Sequence, residues 1–254
     1  MIEPDTPLSP AAQNLLNARR SGVGVFSSEV FPASRAEAYR IQDETIGALG
    51  PIGGWKVGAK GPDEEPICAP LPLIGMIESG AVLQGPSWQL RGIEVELALR
   101  LGRHIGPAER GDLTDIWSAF DAVLPVIEIV ETRLADWRHA PALAKLADLQ
   151  SHGAVVLGTP RQMPSKIMVL STLEVQLVLD GQVVADTRGG NPAKDLERLL
   201  VWLAKHCQGR GQTLRKGQII TTGSCTGMFF APPKAHLEGR VHGLGNVAVA
   251  FLGS

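Results

Sequence analysis

The chain has few cysteines and no apolar run long enough to cross a membrane. Its three cysteines, Cys68, Cys207 and Cys225, are odd in number and widely spaced, which does not favour a disulfide framework. No apolar stretch approaches the roughly 20 residues that a membrane-spanning helix needs. The N-terminus is acidic and proline-rich, whereas a secretory signal is basic and then apolar. We therefore expect a reduced, soluble, cytoplasmic protein with no membrane partner.

An excess of positive charge is also lacking. The 254 residues carry a formal net charge of −2 at pH 7, and the sequence pI is about 6.3. The sequence contains no block of Lys and Arg and no recognised nucleic-acid motif, so nucleic acid is not an expected partner. Hydrophobic residues make up 44% of the chain, which suffices for one large domain, or for a main domain with a small N-terminal appendage.

The sequence does contain two acids within a run that otherwise resembles a buried strand. Glu94 and Glu96 lie two residues apart among apolar residues, and side chains at this spacing share one face of a strand. Two ionised carboxylates on such a face resist burial unless a raised pKa, a basic partner or a metal compensates them. The alternative is that both acids face outward from a half-exposed edge strand and pair with Arg91 or Arg100.

A third acid, Glu128, lies in a comparable setting. Apolar residues surround it on both sides, a pattern typical of a strand covered on both faces. No Cys or His stands at ligand spacing with these three acids. A hard, oxygen-seeking ion such as Mg²⁺, Mn²⁺ or Ca²⁺ would suit them better than zinc.

Helices and strands are both indicated by the hydrophobic periodicity. Capping signals and helical spacing predict five helices, at residues 10–20, 34–48, 112–120, 141–148 and 191–206. Short β-rich runs are predicted at residues 55–57, 81–83, 93–101, 123–130, 154–157, 173–179 and 247–252. In the last helix Asn191 is the expected N-cap and Pro192 the first helical residue. Asp180-Gly181 between alternating apolar residues predicts a tight hairpin.

These patterns predict an α+β fold class. Residues 1–52 are expected to form a helical N-terminal segment, and residues 53–254 a mixed, mainly β domain. We find no internal repeat and no low-complexity segment in the sequence.

Several motifs together resemble the fumarylacetoacetate hydrolase superfamily, and within it the branch of 2-hydroxypentadienoate hydratases and 4-oxalocrotonate decarboxylases. Each motif alone is weak, but their order and spacing are similar to those of the family over most of the chain. The motifs are Ala38-Tyr-Arg-Ile-Gln42, Gly54-Trp-Lys-Val-Gly58, Glu94-Val-Glu96, Pro125-Val-Ile-Glu-Ile-Val-Glu-Thr-Arg133 with Asp136-Trp137, Val155-Val-Leu-Gly158, Gly190-Asn-Pro192 and Thr222-Gly-Ser224.

The resemblance implies a fumarylacetoacetate-hydrolase-like catalytic domain with a divalent metal. It places Glu94, Glu96 and Glu128 at the family's metal-ligand positions, which usually hold Mg²⁺ or Mn²⁺. Three carboxylate ligands on an octahedral ion leave three open positions, which could accept two oxygens of a 2-oxo acid and one water. Such an ion would also neutralise the crowded acids and stabilise an enolate.

Lys56 is the catalytic residue that the resemblance implies, and it is also a candidate for substrate binding. Glycines around it permit close backbone approach, so Lys56 could pair with substrate charge or donate a proton if burial lowers its pKa. The alternative is a surface lysine that extends its amine into solvent. Lys60, where the family more often has a small hydroxyl residue, is assigned no role.

Thr222 and Ser224 occupy the family's substrate-binding Thr-Gly-Ser. Such a turn could hold a carboxylate through its backbone N–H groups and hydroxyls, although the same residues could simply end a strand. Cys225 next to them is expected to be a packed thiol rather than a nucleophile. The six histidines show no metal spacing and are expected to be structural or surface residues.

The chain departs from the family pattern at two places. The Asp that the family commonly carries in an acidic loop after the lysine motif has no clear counterpart, because Asp63-Glu-Glu65 is differently spaced. Asp148 is kept, but Leu149 stands where Asn is usual. The identity of the general acid or base is therefore left open.

The resemblance implies a metal-dependent lyase that adds water to a small 2-hydroxy-dienoate or 2-oxo-enoate from aromatic catabolism. A 4-oxalocrotonate-type decarboxylase is the nearest alternative. A C–C bond hydrolase of the same superfamily would usually need a His/Glu pair, and the first 53 residues contain no His. A non-catalytic partner subunit is a further alternative. The implied partners are the small acid substrate and further copies of the chain, with association to an enzyme of the same pathway.

Overall fold

The computed structural model describes residues 7–106 and 113–253. Its α-helices are α1 (Pro10–Ser21), α2 (Arg35–Leu49), α3 (Ala142–Ala147) and α4 (Leu196–Gly209). Its strands are β1 (Ile52–Gly58), β2 (Ile67–Pro72), β3 (Met76–Glu78), β4 (Ala81–Leu83), β5 (Gly92–Leu101), β6 (Phe120–Val130), β7 (His152–Leu157), β8 (Arg161–Gln162), β9 (Glu174–Leu179), β10 (Gln182–Arg188), β11 (Ile219–Ser224), β12 (Phe229–Phe230), β13 (His236–Val241) and β14 (Gly245–Phe251). The predicted α+β, mainly β fold class is confirmed.

The described strands form two mixed sheets. The larger has nine strands in the order β2-β1-β11-β5-β6-β7-β3, with β12 beside β5 and β8 beside β6. The smaller has five strands in the order β10-β9-β13-β14-β4. The sheets approach closely at Gly239, where an added Cβ would lie 2.9 Å from Val95 Cγ1. The absence of a side chain at Gly239 therefore lets β13 lie directly against β5.

Strand β5 shows how the alternation of side chains creates two different faces. Val95 and Leu97 are fully buried, and Val95 lies against the smaller sheet. Glu94 and Glu96 alternate with them and therefore face the other side of the larger sheet. Beyond Glu96 along β5, this face of the larger sheet is apolar. It carries the buried cluster Leu71, Ala98, Leu124, Val126, Val155 and Ile219.

The predicted N-terminal helices and the hairpin are found where the sequence indicated. Ser34 caps α2 by accepting a hydrogen bond from Glu37 N at 3.1 Å. In the turn between β9 and β10, Asp180 and Gly181 have φ values of 48° and 82°. Two successive positive φ values are the geometry of the primed turn that Asp-Gly favours. The division of the chain at residue 52 stays a prediction.

The predicted start of the last helix is wrong. α4 begins at Leu196, and Asp195 is its N-cap, accepting from Arg198 N at 3.0 Å. Lys194 has a φ of 60°, which breaks helical geometry before that point. Asn191 and Pro192 instead form an irregular segment, because the Asn191 side chain is engaged elsewhere in the fold.

The helix predicted over residues 112–120 is also not an α-helix. Leu113–Ala119 forms 3₁₀ turns that are interrupted at Asp115, where φ is −118° and ψ is 57°. Residue 112 lies outside the described residues, and β6 begins at Phe120. Strand pairing of β6 with β5 takes the last predicted helical residue into the sheet, so tertiary pairing overrides local helical periodicity here.

Strand β2 was not predicted because it contains proline. Pro70 and Pro72 lack the N–H group that a strand interior normally donates. β2 lies at one end of the larger sheet and pairs only with β1 within it. Its prolines therefore deprive no second neighbouring strand of a hydrogen-bond donor.

None of the helices in the described part of the chain has the length and apolar character needed to span a membrane.

Candidate metal centre and cleft

The three acids predicted from the sequence meet on one face of the larger sheet. β5 and β6 pair antiparallel, and Glu94 lies directly opposite Glu128. Glu96 is two residues further along β5 and therefore shares that face. One carboxylate oxygen from each of the three residues lies within 4.8 Å of the other two.

The edge-strand alternative for Glu94 and Glu96 is wrong. β5 lies between β11 and β6 in the interior of the sheet. Arg91 donates to the carbonyl oxygens of Ala231 and Trp88, and the Arg100 guanidinium pairs with Asp121 at 2.7 Å. These two arginines are therefore engaged away from the acids.

The hydrogen bonds of the cluster leave room for a cation. Glu96 Oε2 accepts from Gly223 N at 2.8 Å, and Glu128 Oε1 accepts from Lys56 Nζ. Glu128 Oε2 is buried and has no hydrogen-bond partner within the described residues. A buried carboxylate oxygen without a partner is costly, and a divalent cation with oxygen ligands would satisfy it. The donor set therefore fits the predicted metal.

Crowding and burial shift the proton affinities of the acids. Burial first, and then the negative charge of Glu128, raise the pKa of Glu94 to about 7. The same two causes raise the pKa of Glu96 well above its usual value. Without a metal, part of the cluster therefore carries protons near neutral pH.

Lys56 is the basic partner of this cluster. It lies on β1, which pairs with β11, and its Nζ contacts Glu128 Oε1 and donates to Gln150 O at 3.2 Å. Its side chain is only 14% exposed, so the surface-lysine alternative does not describe it. Burial lowers the pKa of Lys56, but attraction to Glu128 and Glu94 outweighs burial and raises the pKa above its ordinary value.

The cluster and Lys56 line one wall of a cleft of about 640 Å³. This volume is in the range of sites for small organic ligands. Charged side chains of both signs surround it. The charged residues that line it are Arg35, Lys56, Lys60, Glu64, Glu65, Glu94, Glu96, Glu128 and Lys145.

The predicted Thr-Gly-Ser turn is at the cleft, but its two hydroxyls lie in different places. Ser224 lines the cleft and pairs with Glu96 in the β11–β5 ladder. The Thr222 hydroxyl is fully buried and donates to Leu97 O at 2.8 Å. Thr222 is not among the residues that line the cleft, so its placement does not support direct substrate contact.

A bulge in β11 explains this placement. The pairing register shifts between Thr221 and Ser224, and Gly223 has a φ of 92°. The extra residue lets Thr221 and Ser224 lie on the same side of the sheet although they are three positions apart. Thr221, which pairs with Lys56, therefore shares the face of the site, and Thr222 points to the opposite face.

Replacement of Ser224 and of Thr222 by Ala is expected to have different effects. Ser224→Ala should mainly raise KM, because a cleft hydroxyl can bind substrate in both the ground and the transition state. Thr222→Ala should leave KM unchanged and lower the free energy of unfolding by about 1 kcal/mol through the lost hydrogen bond to Leu97. Steady-state kinetics and urea unfolding would measure both, and an unchanged KM for Ser224→Ala would remove it from the site.

Two residues that support the site were not assigned to it from the sequence. The Asn191 amide donates to Thr222 O and Gly223 O, each at 2.9 Å, and thereby holds the bulge. The Gln150 carbonyl accepts from Lys56. Asn191 stood in a quoted motif but was interpreted as a helix cap, and only the long-range contact to β11 reveals its actual place.

The acidic loop after the lysine motif does reach the cleft. Glu64 and Glu65 line it, and Glu65 pairs with Arg35 at 2.5 Å. Arg198 donates to the carbonyl oxygens of Glu64 and Gly61 at 2.9 and 3.0 Å, which anchors the loop to α4. The sequence contained the acids, but their position at the cleft follows from this anchoring.

Cys225 is a packed thiol in the structure. It is buried, and burial raises its pKa to about 12, so the thiolate that a nucleophile requires is not formed near neutral pH. No histidine belongs to the described lining of the cleft. His152 follows Gln150, the residue whose carbonyl contacts Lys56, by two positions. Burial lowers the pKa of His152 well below its usual value.

The affinity for Mn²⁺ is expected to fall as pH decreases from 8 to 6. A metal binds the ionised carboxylates, and the pKa of Glu94 is about 7 in the metal-free protein, above its unfolded value, so protons compete with the metal below that pH. Calorimetry in buffers of different ionisation enthalpy should detect proton release on Mn²⁺ binding at pH 6 and less release at pH 8. An affinity that does not change over this range would contradict the assignment of Glu94 as a ligand.

The fold and the site define a class of protein: a mainly β domain of two sheets with a carboxylate cluster suited to a divalent cation. The chain matches the model of the family "Fumarylacetoacetate (FAA) hydrolase C-terminal" over residues 58–251. It therefore belongs to that family, and the resemblance seen in the sequence is confirmed.

Curated relatives carry hydratase names. The chain is 30% identical over 159 residues to a 2-keto-4-pentenoate hydratase of Paraburkholderia xenovorans, a match that covers 63% of this chain and 58% of the relative. It is 26% identical over 228 residues to a protein of the same name from Paraburkholderia phymatum, with 85% and 80% covered. The chain thus spans 58% of the length of the first relative, and its own activity is a matter for proposal.

Solved structures share the fold. The 4-oxalocrotonate decarboxylase from Pseudomonas putida G7, complexed with magnesium and adipate, has a TM-score of 0.83 at 24% identity, covering 95% of this chain and 96% of that chain. A 5-carboxymethyl-2-hydroxymuconate delta-isomerase from Mycobacterium smegmatis has a TM-score of 0.62 at 19% identity, with 80% and 79% covered. Similarity at these identities concerns the fold alone.

Proposed function

We propose that this protein is a metal-dependent hydro-lyase that adds water to a small 2-hydroxy-dienoate or 2-oxo-enoate of aromatic catabolism. One observation supports this proposal above all. Three carboxylates and one lysine converge on one face of the sheet inside a cleft of about 640 Å³. The hydratase names of the curated relatives agree with the assignment.

Mg²⁺ or Mn²⁺ is the proposed ion, held by Glu94, Glu96 and Glu128. All three supply carboxylate oxygens, the donors that these hard ions prefer. When bound, such an ion stabilises negative charge that develops on the 2-oxygen of the substrate. The magnesium complex of the decarboxylase with the same fold agrees with this choice.

Lys56 is the proposed catalytic residue and also a substrate-binding residue. Its raised pKa keeps the amine protonated at neutral pH, so it enters as a cation that can pair with a substrate carboxylate or donate a proton. Glu128 and the Gln150 carbonyl orient the amine toward the cleft. Ser224, on the neighbouring strand, is proposed to bind the substrate, and the Thr222 hydroxyl to support the strand beneath it.

A decarboxylase that accepts a diacid is the second candidate, and the basic residues of the cleft favour it. Arg35 and Lys60 both line the cleft, where a second substrate carboxylate could contact them. Arg35 is already paired with Glu65, which weakens its attraction for another anion. We retain the hydratase as the main proposal for this reason.

Incubation of the purified chain with Mg²⁺ or Mn²⁺ and separate acids tests the proposal. The monoacid 2-hydroxypenta-2,4-dienoate should be hydrated, and ultraviolet absorbance and product mass would follow the reaction. Release of CO₂ from 4-oxalocrotonate without hydration of the monoacid would favour the decarboxylase instead. Hydrolytic cleavage of a C–C bond would favour a hydrolase. Inactivity of the chain alone, with activity restored by a pathway enzyme, would favour a partner subunit.

A homo-oligomer is the assembly we propose. Several large apolar side chains are exposed in the described residues, among them Val23, Phe26 and Ile74, and a second copy of the chain would cover such side chains on association. Sedimentation of the purified protein would measure the assembly. A monomer at all concentrations would contradict this part of the proposal.

A further inference from the structure

The segment between α3 and β7 has an unusual backbone. Leu149, Gln150 and Ser151 have φ values of 46°, 56° and 56°. Single residues other than glycine visit the left-handed region only occasionally, and three in succession are rare. Strained backbone of this kind persists only where the surroundings enforce it, and such strain is frequent at functional sites.

Contacts on both sides enforce this left-handed turn. Ser151 N donates to Asp148 O at 2.8 Å, and Ser151 Oγ accepts from Trp137 Nε1 at 3.0 Å. The Asp148 carboxylate in turn accepts from the buried Arg133 side chain at 2.5 Å. A buried, charge-assisted hydrogen bond is among the strongest anchors a turn can have. The turn is therefore held in place from the interior of the protein.

The left-handed turn brings Gln150 to the cleft. The Gln150 carbonyl accepts from Lys56 Nζ at 3.2 Å, so this residue lies directly beside the proposed catalytic amine. Gln150 is half-buried and lines the cleft. Its side-chain amide makes no hydrogen bond to any other residue in the described ranges, which leaves two donors and one acceptor for a ligand.

We propose that the Gln150 side-chain amide binds the 2-oxo acid in the cleft and donates to one of its oxygens. This proposal rests on the proposed function, because it adds a specificity-determining residue to the same site. The contact of Gln150 to Lys56 uses its backbone carbonyl, so the side-chain amide takes no part in holding the turn or the amine. A ligand contact gives the amide a function that the fold itself does not require.

The test uses binding of 2-oxopentanoate, a saturated acid that cannot be hydrated, to the Mn²⁺-loaded protein. Gln150→Ala keeps a non-glycine residue at the left-handed position and removes the side chain beyond Cβ, including the amide, so its affinity should fall about tenfold or more through the lost hydrogen bond to an ionised group. Gln150→Glu preserves size but replaces the donor with a negative charge, and its affinity should fall further. Calorimetry measures both, with Mn²⁺ affinity determined first for each variant.

Gln182→Ala is the matched control. Gln182 is exposed on β10, and its replacement should leave the affinity for 2-oxopentanoate unchanged. If Gln150 has a purely structural role, both Gln150 variants should have a lower melting temperature. Their affinities for 2-oxopentanoate should then not decrease in the order wild type, Gln150→Ala, Gln150→Glu. Affinity of Gln150→Ala within a factor of two of wild type would overturn the proposal.

The outcome also separates this proposal from the proposed reaction. Binding of 2-oxopentanoate to the wild type, with the expected loss in the variants but no turnover of any dienoate, would support Gln150 and contradict the hydratase. Turnover of the monoacid with equal KM in wild type and Gln150→Ala would support the hydratase and contradict Gln150. Failure of the wild type both to bind the acid and to turn over any dienoate would overturn both, whereas turnover without binding of the acid would overturn Gln150 alone.

Discussion

Replacement of Glu128 by Gln is expected to weaken Mn²⁺ binding by at least about 100-fold, since loss of partners outside the ligand set already costs about 10- to 100-fold. Gln keeps the side-chain volume but removes one of the three charges that face the cation. The fold should persist, because the carbonyl oxygen of Gln can still accept from Lys56 Nζ where Glu128 Oε1 does. Calorimetric titration with Mn²⁺ measures the loss, and activity should fall with it.

Glu174→Gln is the control for this change. Glu174 lies on β9 and its side chain is 50% exposed, so it changes the net charge of the protein equally but outside the site. Its Mn²⁺ titration should match that of the wild type. If Glu128→Gln also titrates like the wild type, the proposed metal site is wrong.

Replacement of Lys56 by Met is expected to separate turnover from metal binding. Turnover should fall by about 100-fold or more, corresponding to about 3 kcal/mol, if a buried charge contact to the substrate is lost. Mn²⁺ binding should be kept or strengthened, because removal of the ammonium removes a positive charge beside the cation. Steady-state kinetics at saturating Mn²⁺, together with calorimetry, would distinguish the two effects.

Lys205→Met provides the comparison for Lys56. Lys205 is exposed on α4, and its replacement should alter neither turnover nor metal affinity. Turnover of Lys56→Met within a factor of two of wild type would contradict a catalytic role, even though the structure buries this lysine against the acids. Loss of Mn²⁺ binding in the same variant would show that Lys56 maintains the arrangement of the acids instead.

The ligand set illustrates how far local pattern carries. The two-residue spacing of Glu94 and Glu96 predicts a shared face for any strand, and the apolar surroundings of Glu128 predict its burial. The structure bears out both placements. Their meeting within 4.8 Å depends on the register between β5 and β6, and register is a long-range property that spacing along one strand does not determine.

Thr222 and Asn191 show where local pattern fails. The family resemblance pointed to Thr222, and strand alternation alone does not reveal the bulge at Gly223 that leaves Thr221 on the face of Lys56. For Asn191 the pair Asn-Pro is typical of a helix start, but its amide binds the β11 backbone instead. The helix-cap interpretation of Asn191 is wrong because a distant strand competes with local preference, whereas at Thr222 the bulge turns the hydroxyl toward Leu97 O.

The sequence by itself determined the fold class, the family resemblance, the hairpin at Asp180-Gly181 and the three acids as a set. These features depend on alternation, turn chemistry and motif order, which are readable along the chain. The resemblance already implied Lys56 as a site residue, but only the tertiary structure decided that its amine contacts Glu128 and the Gln150 carbonyl. The reason is physical: Lys56 reaches the site through the pairing of β1 with β11, and Gln150 through a left-handed turn held by buried contacts from distant residues.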